Sequence, residues 1–158
     1  MTLLNVTIFV DADACPVKDE VFRVAGRLRL SVYVVSNAWM RLPDDPSIER
    51  VIVPQGPDVA DDWIAERVGK GAVVVTADVP LADRCVKAGA RVVAPSGRVF
   101  DATSIGMALA TRDLLDDLRS AGAVTGGPAP FGPRQRSAFL QSLDREVRRA
   151  ARDLPPPG

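Results

Sequence analysis

Short runs of apolar and β-branched residues alternate along the chain with longer segments whose apolar positions recur at helical spacing. The short runs predict strands at residues 6–10, 31–35, 48–53, 72–76 and 91–94. The longer segments predict helices at residues 16–29, 59–68, 79–88, 103–120 and 134–152. Strands that alternate with helices are typical of a parallel sheet covered on both faces. The predicted fold class is therefore α/β, a three-layer α/β/α sandwich with a mostly parallel central sheet.

The length of the chain is that of a single domain. Its 158 residues lie close to the usual domain size of about 100–150 residues, and no internal repeat or second apolar core is visible in the sequence. We predict one domain over residues 1–152. Residues 153–158 end in a proline-rich stretch and are predicted to be a disordered tail.

The composition excludes several kinds of chemistry. The chain has no histidine, which excludes a Ser-His-Asp triad, an imidazole acid or base and a histidine-ligated zinc. Its two cysteines, Cys15 and Cys85, are too few for a disulfide framework or a four-cysteine zinc site. Catalysis or metal binding by this chain would therefore depend on carboxylates. Carboxylates that act without histidine usually bind Mg²⁺ or Mn²⁺.

Charge and hydropathy limit the partners. Twenty basic and twenty acidic side chains give a formal net charge of zero, so any contact with nucleic acid must be local or arranged through a metal. No stretch approaches the roughly 18 apolar residues of a membrane span, and the segment before the first strand lacks a basic region followed by a long apolar run. We expect no membrane association and a cytoplasmic location, while the oligomeric state cannot be predicted.

Two carboxylates follow the first predicted strand. Asp11 and Asp13 lie where open α/β sheets bind their ligands, and strand alternation predicts that both point the same way. At about 5 Å apart and an effective dielectric near 20, they would repel each other by roughly 3 kcal/mol. A hard divalent cation would offset this cost. The alternative is a solvated strand end with one aspartate capping a helix.

Further aspartates occur at equivalent points of the pattern. Asp58, Asp61 and Asp62 lie at the start of a middle helix, where capping and the helix dipole account for Asp58 fully and Asp61 partly. Asp78 follows the buried strand that ends at residue 76, and it caps the next helix or joins the acids. Because the carboxyl ends of parallel strands share one edge of the sheet, we predict a joint acidic metal site there.

Other polar groups are candidates for binding phosphate. Ser36, Asn37 and Thr76 lie at strand ends on the same predicted edge, and Lys18 lies in the first turns of a helix. Gly126 and Gly127 belong to a loop that lacks the Gly-Lys-Ser/Thr of a P-loop. This loop is a candidate lid that carries two arginines, Arg134 and Arg136, toward a phosphate backbone. Ordinary loop hydrogen bonds, a bare connector and solvated surface charges are the alternatives.

Four motifs make the sequence recognisable. They are Asp11-Ala-Asp-Ala-Cys-Pro16, Asp58-Val-Ala-Asp-Asp-Trp-Ile64, Val75-Thr-Ala-Asp-Val-Pro-Leu-Ala82 and Thr125-Gly-Gly-Pro-Ala-Pro-Phe131. With them the chain resembles the YaiI/YqxD family of uncharacterised bacterial proteins, over most of its length. That family is similar to PIN-domain-like nucleases, whose compact α/β/α fold holds Mg²⁺ or Mn²⁺ between acidic side chains.

The resemblance implies roles for individual residues. Asp11 matches the acid of the first strand and Asp13 its companion. Either Asp61 or Asp62 matches the middle helical acid, Asp78 the acid after the later strand, and Asp83 a further ligand. The chain departs from the PIN pattern in two respects: the middle acid is Asp rather than the more usual Glu, and the Asp-x-Asp doublet is not the ordinary arrangement.

The implied activity is metal-dependent hydrolysis of a phosphodiester, with RNA expected rather than DNA. Asp11, Asp13 and Asp78 would ligate the metal directly or through water, and Asp61 or Asp62 would orient a second metal or the attacking water. Two alternatives stay open. One is a PIN-like scaffold that binds RNA or protein without catalysis. The other is a haloacid-dehalogenase-like phosphatase, for which Asp78 and Asp83 could supply acids and Lys87 is poorly placed.

Overall fold

The computed structural model describes residues 5–13, 15–120 and 132–154, with the backbone alone over 113–120. The strands are β1 (Thr7–Asp11), β2 (Ser31–Ser36), β3 (Ile48–Ile52), β4 (Ala72–Val75), β5 (Arg91–Val93) and β6 (Val99–Phe100). The helices are α1 (Lys18–Leu28), α2 (Val59–Ala65), α3 (Val79–Lys87), α4 (Ser104–Ser120) and α5 (Pro133–Asp153). Every predicted strand and helix is present, with ends that differ by at most three residues.

The strands form one sheet in the order β3-β2-β1-β4-β5-β6. Every pair is parallel except β5–β6, which is antiparallel. The strand β6 was not predicted, because two residues are too few to show a period. Its turn is closed by the Ala94 amide, which donates to Arg98 O at 2.8 Å. Gly97 adopts a φ of 93° in this turn, a conformation that side chains with a Cβ rarely adopt.

Helices cover the two faces of the sheet separately. On one face, alternate strand residues such as Ile8 and Val10 pack with α1 and α5, whose Phe139 and Leu143 are fully buried. On the other face, Phe9 and its neighbours pack with α2, α3 and the start of α4. These three layers confirm the predicted α/β/α sandwich. No helix in the described part of the chain is long and apolar enough to cross a membrane.

The last helix is anchored to the sheet by buried charge. Arg91 on β5 donates to Asp153 at 2.8 Å and to the almost fully buried Glu146 at 3.4 Å. The helix therefore continues through Asp153, the first residue of the predicted tail. Residues 155–158 lie outside the described part of the chain.

The strand order places the carboxyl end of β1 at a change of direction. From β1 the chain builds outward through β2 and β3, then returns to add β4 and β5 on the other side of β1. The connections leaving β1 and β4 therefore diverge to opposite sides and open a crevice between them. In open α/β sheets this crevice is the usual position of a ligand site.

Candidate acidic site

A polar cleft of about 350 Å³ lies at this crevice. Its walls come from the loops that follow β1, β2, β3, β4 and β5 and from the start of α2. The polar and thiol side chains that line it are those of Asp11, Asp13, Cys15, Asn37, Asp58, Asp61, Thr76 and Asp78. The cleft thus contains five carboxylates from three separate parts of the chain.

Asp11 and Asp78 are joined through one buried hydroxyl. Thr76 Oγ1 donates to Asp11 Oδ2 at 2.8 Å and accepts from the Asp78 amide at 3.0 Å. The Thr76 side chain is almost fully buried, so the hydroxyl is held in a fixed orientation. Asp78 Oδ1 accepts from the Leu81 amide at 2.9 Å, which confirms the predicted cap of α3. Asp78 therefore both caps a helix and lines the cleft.

The carboxylates repel one another in a partly dehydrated space. Burial raises the pKa of Asp11, the charges of Asp78 and Asp13 raise it further, and the Thr76 hydrogen bond opposes the rise. The pKa of Asp61 is raised to about 6, first by burial and then by the charges of Asp78, Asp11 and Asp58. Mutual repulsion of this kind is typical of sites that bind a cation.

Asp61 rather than Asp62 belongs to the cleft. The two are neighbours in the first turn of α2, where successive residues point about 100° apart around the helix axis. Asp61 is half-buried and lines the cleft, whereas Asp62 is exposed and accepts from Arg84 at 2.7 Å. Burial of Ile64 against the sheet fixes this rotation of α2.

Asp58 was expected to act only as a cap, and that interpretation is wrong. It precedes α2 in the left-handed conformation, with φ 63°, and its side chain makes no capping hydrogen bond. Its carboxylate lines the cleft instead and raises the pKa of Asp61. A strained backbone at an aspartate is a common feature of functional sites, but no pattern in the sequence revealed this one.

Asp13 reaches the cleft by a different route from the one predicted. The strand ends at Asp11, so strand alternation does not apply to Asp13, which lies exposed in the turn that follows. Both side chains nevertheless line the cleft. Cys15 lines it as well, and burial raises the pKa of its thiol, so the thiol stays protonated near neutral pH.

Two predicted acids, one serine and one lysine do not line the cleft. Asp83 on α3 accepts from Lys87 at 2.9 Å, and Asp62 pairs with Arg84 as described above. Ser36 is buried, and its hydroxyl donates to Ala38 O at 2.7 Å. Lys18 Nζ donates to Cys15 O at 2.8 Å. Neither Lys87 nor Asp83 lines the cleft, so they do not supply the lysine and the second acid that a dehalogenase-like phosphatase would require there.

The two predicted arginines are not part of the cleft either. Arg136 donates to Pro16 O at 3.0 Å and to Glu20 at 2.9 Å, which ties the start of α5 to the start of α1. Arg134 is exposed and is not among the residues that line the cleft. Gly126 and Gly127 lie outside the described residues.

The donor atoms that line the cleft suit a hard cation, but its described acidic side chains are too far apart for three of them to share one ion directly. Carboxylates with the Asn37 amide and the Thr76 hydroxyl form a set rich in oxygen, which Mg²⁺ and Mn²⁺ prefer. Over residues 5–13, 15–120 and 132–154, however, no three acidic or thiol side chains lie close enough together to bind one metal ion. Direct ligation would therefore require the side chains to turn inward or water to bridge them.

Comparison with known proteins assigns the chain to a family. The sequence model described as "Uncharacterized BCR, YaiI/YqxD family" matches residues 9–149. The chain belongs to the YaiI/YqxD family. This result confirms the resemblance carried by the four motifs, and the matched region includes every residue that lines the acidic cleft.

Several close relatives share almost the whole chain. A UPF0178 protein of Azorhizobium caulinodans is 62% identical over 147 residues, which cover 93% of this chain and 92% of the relative. One from Rhodopseudomonas palustris (strain HaA2) is 61% identical over 150 residues, 95% of this chain and 92% of the relative. One from Nitrobacter winogradskyi is 58% identical over 147 residues, 93% of this chain and 94% of the relative. No solved structure matches the chain.

Proposed function

We propose that this YaiI/YqxD protein is a PIN-like, metal-dependent nuclease that hydrolyses phosphodiester bonds in RNA within the acidic cleft. The observation that supports this proposal is the convergence of carboxylates from β1, α2 and the end of β4 at the crevice between diverging connections. Bound Mg²⁺ or Mn²⁺ would neutralise phosphate charge and lower the pKa of a coordinated water.

The side chains of the cleft would have different roles in hydrolysis. Asp11, Asp13 and Asp78 would hold the cation, and the Thr76 hydroxyl keeps Asp11 in position by donating to Oδ2. Asp61 lines the cleft from α2, where its carboxylate would orient the attacking water. The Asn37 amide, which also lines the cleft, would donate to a phosphate oxygen.

A non-catalytic scaffold is the second candidate, and one observation favours it. Among the side chains described here, no three ligands are already gathered closely enough for one ion, whereas catalytic metal sites usually have their ligands preorganised by surrounding contacts. On this alternative the protein binds RNA or another protein and does not hydrolyse it.

The neighbouring pair Asp61 and Asp62 provides the sharpest test. Single-stranded RNA is incubated with Mn²⁺ and the wild type, Asp61→Asn or Asp62→Asn, each purified through the same steps to remove contaminating nucleases. We expect Asp61→Asn to reduce the cleavage rate roughly 100-fold or more, as losing a group that positions the attacking water does. Asp62→Asn removes only an exposed ion pair and should stay within about threefold of wild type.

The metal ligands are tested in the same assay together with calorimetry. Asp11→Asn and Asp78→Asn should lose both cleavage and Mn²⁺ binding, while Asp83→Asn, on the same helix as the Asp78 cap, should keep both. Mn²⁺ binding that disappears in Asp11→Asn while no preparation cleaves RNA would support the scaffold. Equal cleavage by wild type and both cleft variants would show that the catalytic assignment is wrong.

A further inference from the structure

The loop after β2 exposes a large aromatic side chain beside the acidic cleft. Trp39 is 65% exposed, although tryptophan is among the residues with most to gain from burial. It lies two residues beyond Asn37, a residue of the cleft wall, and two residues span at most about 7 Å of chain. The Cα atom of Trp39 therefore lies within about 7 Å of that of Asn37, beside the cleft wall.

The residues on both sides of Trp39 are held by hydrogen bonds, and Arg50 contacts its ring. The Ser36 hydroxyl donates to Ala38 O and holds the start of the loop. The Arg50 guanidinium on β3 lies 4.9 Å from the centre of the indole ring, and its Nε donates to Met40 O at 3.2 Å. The guanidinium thus lies over the ring, while most of the Trp39 side chain stays exposed to solvent.

The size and charge of this surface favour a nucleobase over a protein. Among the described residues, Trp39, Ile52 and Met107 are the large apolar side chains that are exposed, and Met107 lies apart on α4. One indole and one isoleucine fall far short of the roughly 800 Å² that each partner contributes to a stable protein interface. An aromatic face next to a guanidinium matches the planar base and anionic backbone of a single strand.

We propose that Trp39 and Arg50 form a stacking platform for an unpaired base of the RNA strand whose phosphate lies in the acidic cleft. The proposal rests on the proposed function, and it adds the requirement that the substrate be single-stranded. A base inside a duplex is already stacked on both sides and cannot reach the indole. Arg50 contacts the phosphate next to the stacked base and holds the indole in place.

Binding of a short single-stranded oligouridylate labelled with fluorescein tests the platform. Anisotropy is measured in Ca²⁺, a hard cation that replaces Mg²⁺ or Mn²⁺, with the full chain and its variants. We expect Trp39→Ala to weaken binding roughly 5- to 100-fold, as the loss of one base–aromatic stack does. Trp39→Phe should recover most of the loss, and Met107→Ala, which removes another exposed apolar side chain, should bind like wild type.

A second readout reports on the indole itself. In Trp63→Phe, Trp39 is the one remaining tryptophan of the chain, and we expect the single strand to quench its fluorescence while a duplex of equal length does not. Equal quenching by the duplex would overturn the proposal, as would unchanged affinity in Trp39→Ala. Self-association of the wild type that Trp39→Ala abolishes, with RNA binding unaffected, would overturn it too, by assigning the surface to a second copy of the chain.

The platform and the nuclease can fail separately. If a single strand binds through Trp39 but is never cleaved in Mn²⁺, the proposed nuclease activity is refuted and the platform is supported. If cleavage requires Asp11 and Asp61 but proceeds equally well in Trp39→Ala, the nuclease activity is supported and the platform is refuted.

Discussion

Replacing Asp61 by Asn removes one negative charge from the acidic cleft while keeping the shape of the side chain. The raised pKa of Asp61 means that the folded protein is destabilised whenever this carboxylate is ionised. The substitution should therefore stabilise the fold at neutral pH, even though the same change is expected to impair cleavage. Opposite effects on stability and activity are typical of functional sites.

The magnitude follows from the shift in pKa. A rise from 3.8 to about 6 corresponds to about 3 kcal/mol at roughly 1.4 kcal/mol per unit. Because Asp61 is only half-buried, water and salt screen its neighbours, and about 1 kcal/mol is the realistic gain. The gain depends on pH. Between about pH 4 and 6 the folded state binds more protons at Asp61 than the unfolded state, so the stability contributed by this group falls as the pH rises through that window.

Urea unfolding of wild type and Asp61→Asn at several pH values measures this difference. We expect the variant to be more stable by about 1 kcal/mol at pH 7, with the difference shrinking toward zero near pH 4, where Asp61 is protonated in the folded state. The difference should also decrease in high salt. Asp62→Asn is the matched control, and it should be equal to wild type or slightly less stable, because its exposed pair with Arg84 is lost.

Two results would refute this reasoning. One is an Asp61→Asn variant no more stable than wild type at pH 7. The other is a stability difference that stays constant from pH 4 to 7, since a constant difference would arise from packing rather than from charge.

Two further substitutions test the supports of the site and of the fold. Thr76→Val should destabilise the protein by about 1–3 kcal/mol in urea unfolding, because the half-buried Asp11 carboxylate and the Asp78 amide each lose a partner; unchanged stability would show that the hydroxyl is not needed to hold them. Gly97→Ala should cost about 1–3 kcal/mol in the same measurement, since the added Cβ would meet the Ala138 backbone at 2.9 Å and φ is 93°; a variant as stable as wild type would mean that the turn and α5 can separate freely.

The arrangement of the cleft also explains why the Thr76 hydroxyl contacts both Asp11 and Asp78. Thr76 carries no charge, so its hydroxyl can lie buried between two aspartates and leave their charges intact. A lysine or arginine at this position would neutralise them. Its hydrogen bond opposes the rise in the Asp11 pKa that burial causes. Asp11 is thereby held in one orientation while its charge remains available to a cation.

Local patterns in the sequence determined the fold class and the main acids. Alternating apolar runs and helical periods predicted every strand but β6 and every helix, because burial of an apolar face is encoded by spacing within a few residues. The carboxyl ends of parallel strands meet at one edge in any such sheet, and this rule was enough to bring Asp11 and Asp78 together. The cap at Asp78 was equally local, since it involves an amide three residues away.

Only the tertiary structure decided which of the remaining polar residues share the cleft. The choice between Asp61 and Asp62 depends on the rotation of α2, which burial of Ile64 against the sheet determines. Asp58 joins the cleft through a left-handed backbone, and Asp83 on α3 lies outside it. These outcomes depend on contacts between distant segments and on side-chain direction, and spacing along the chain carries neither.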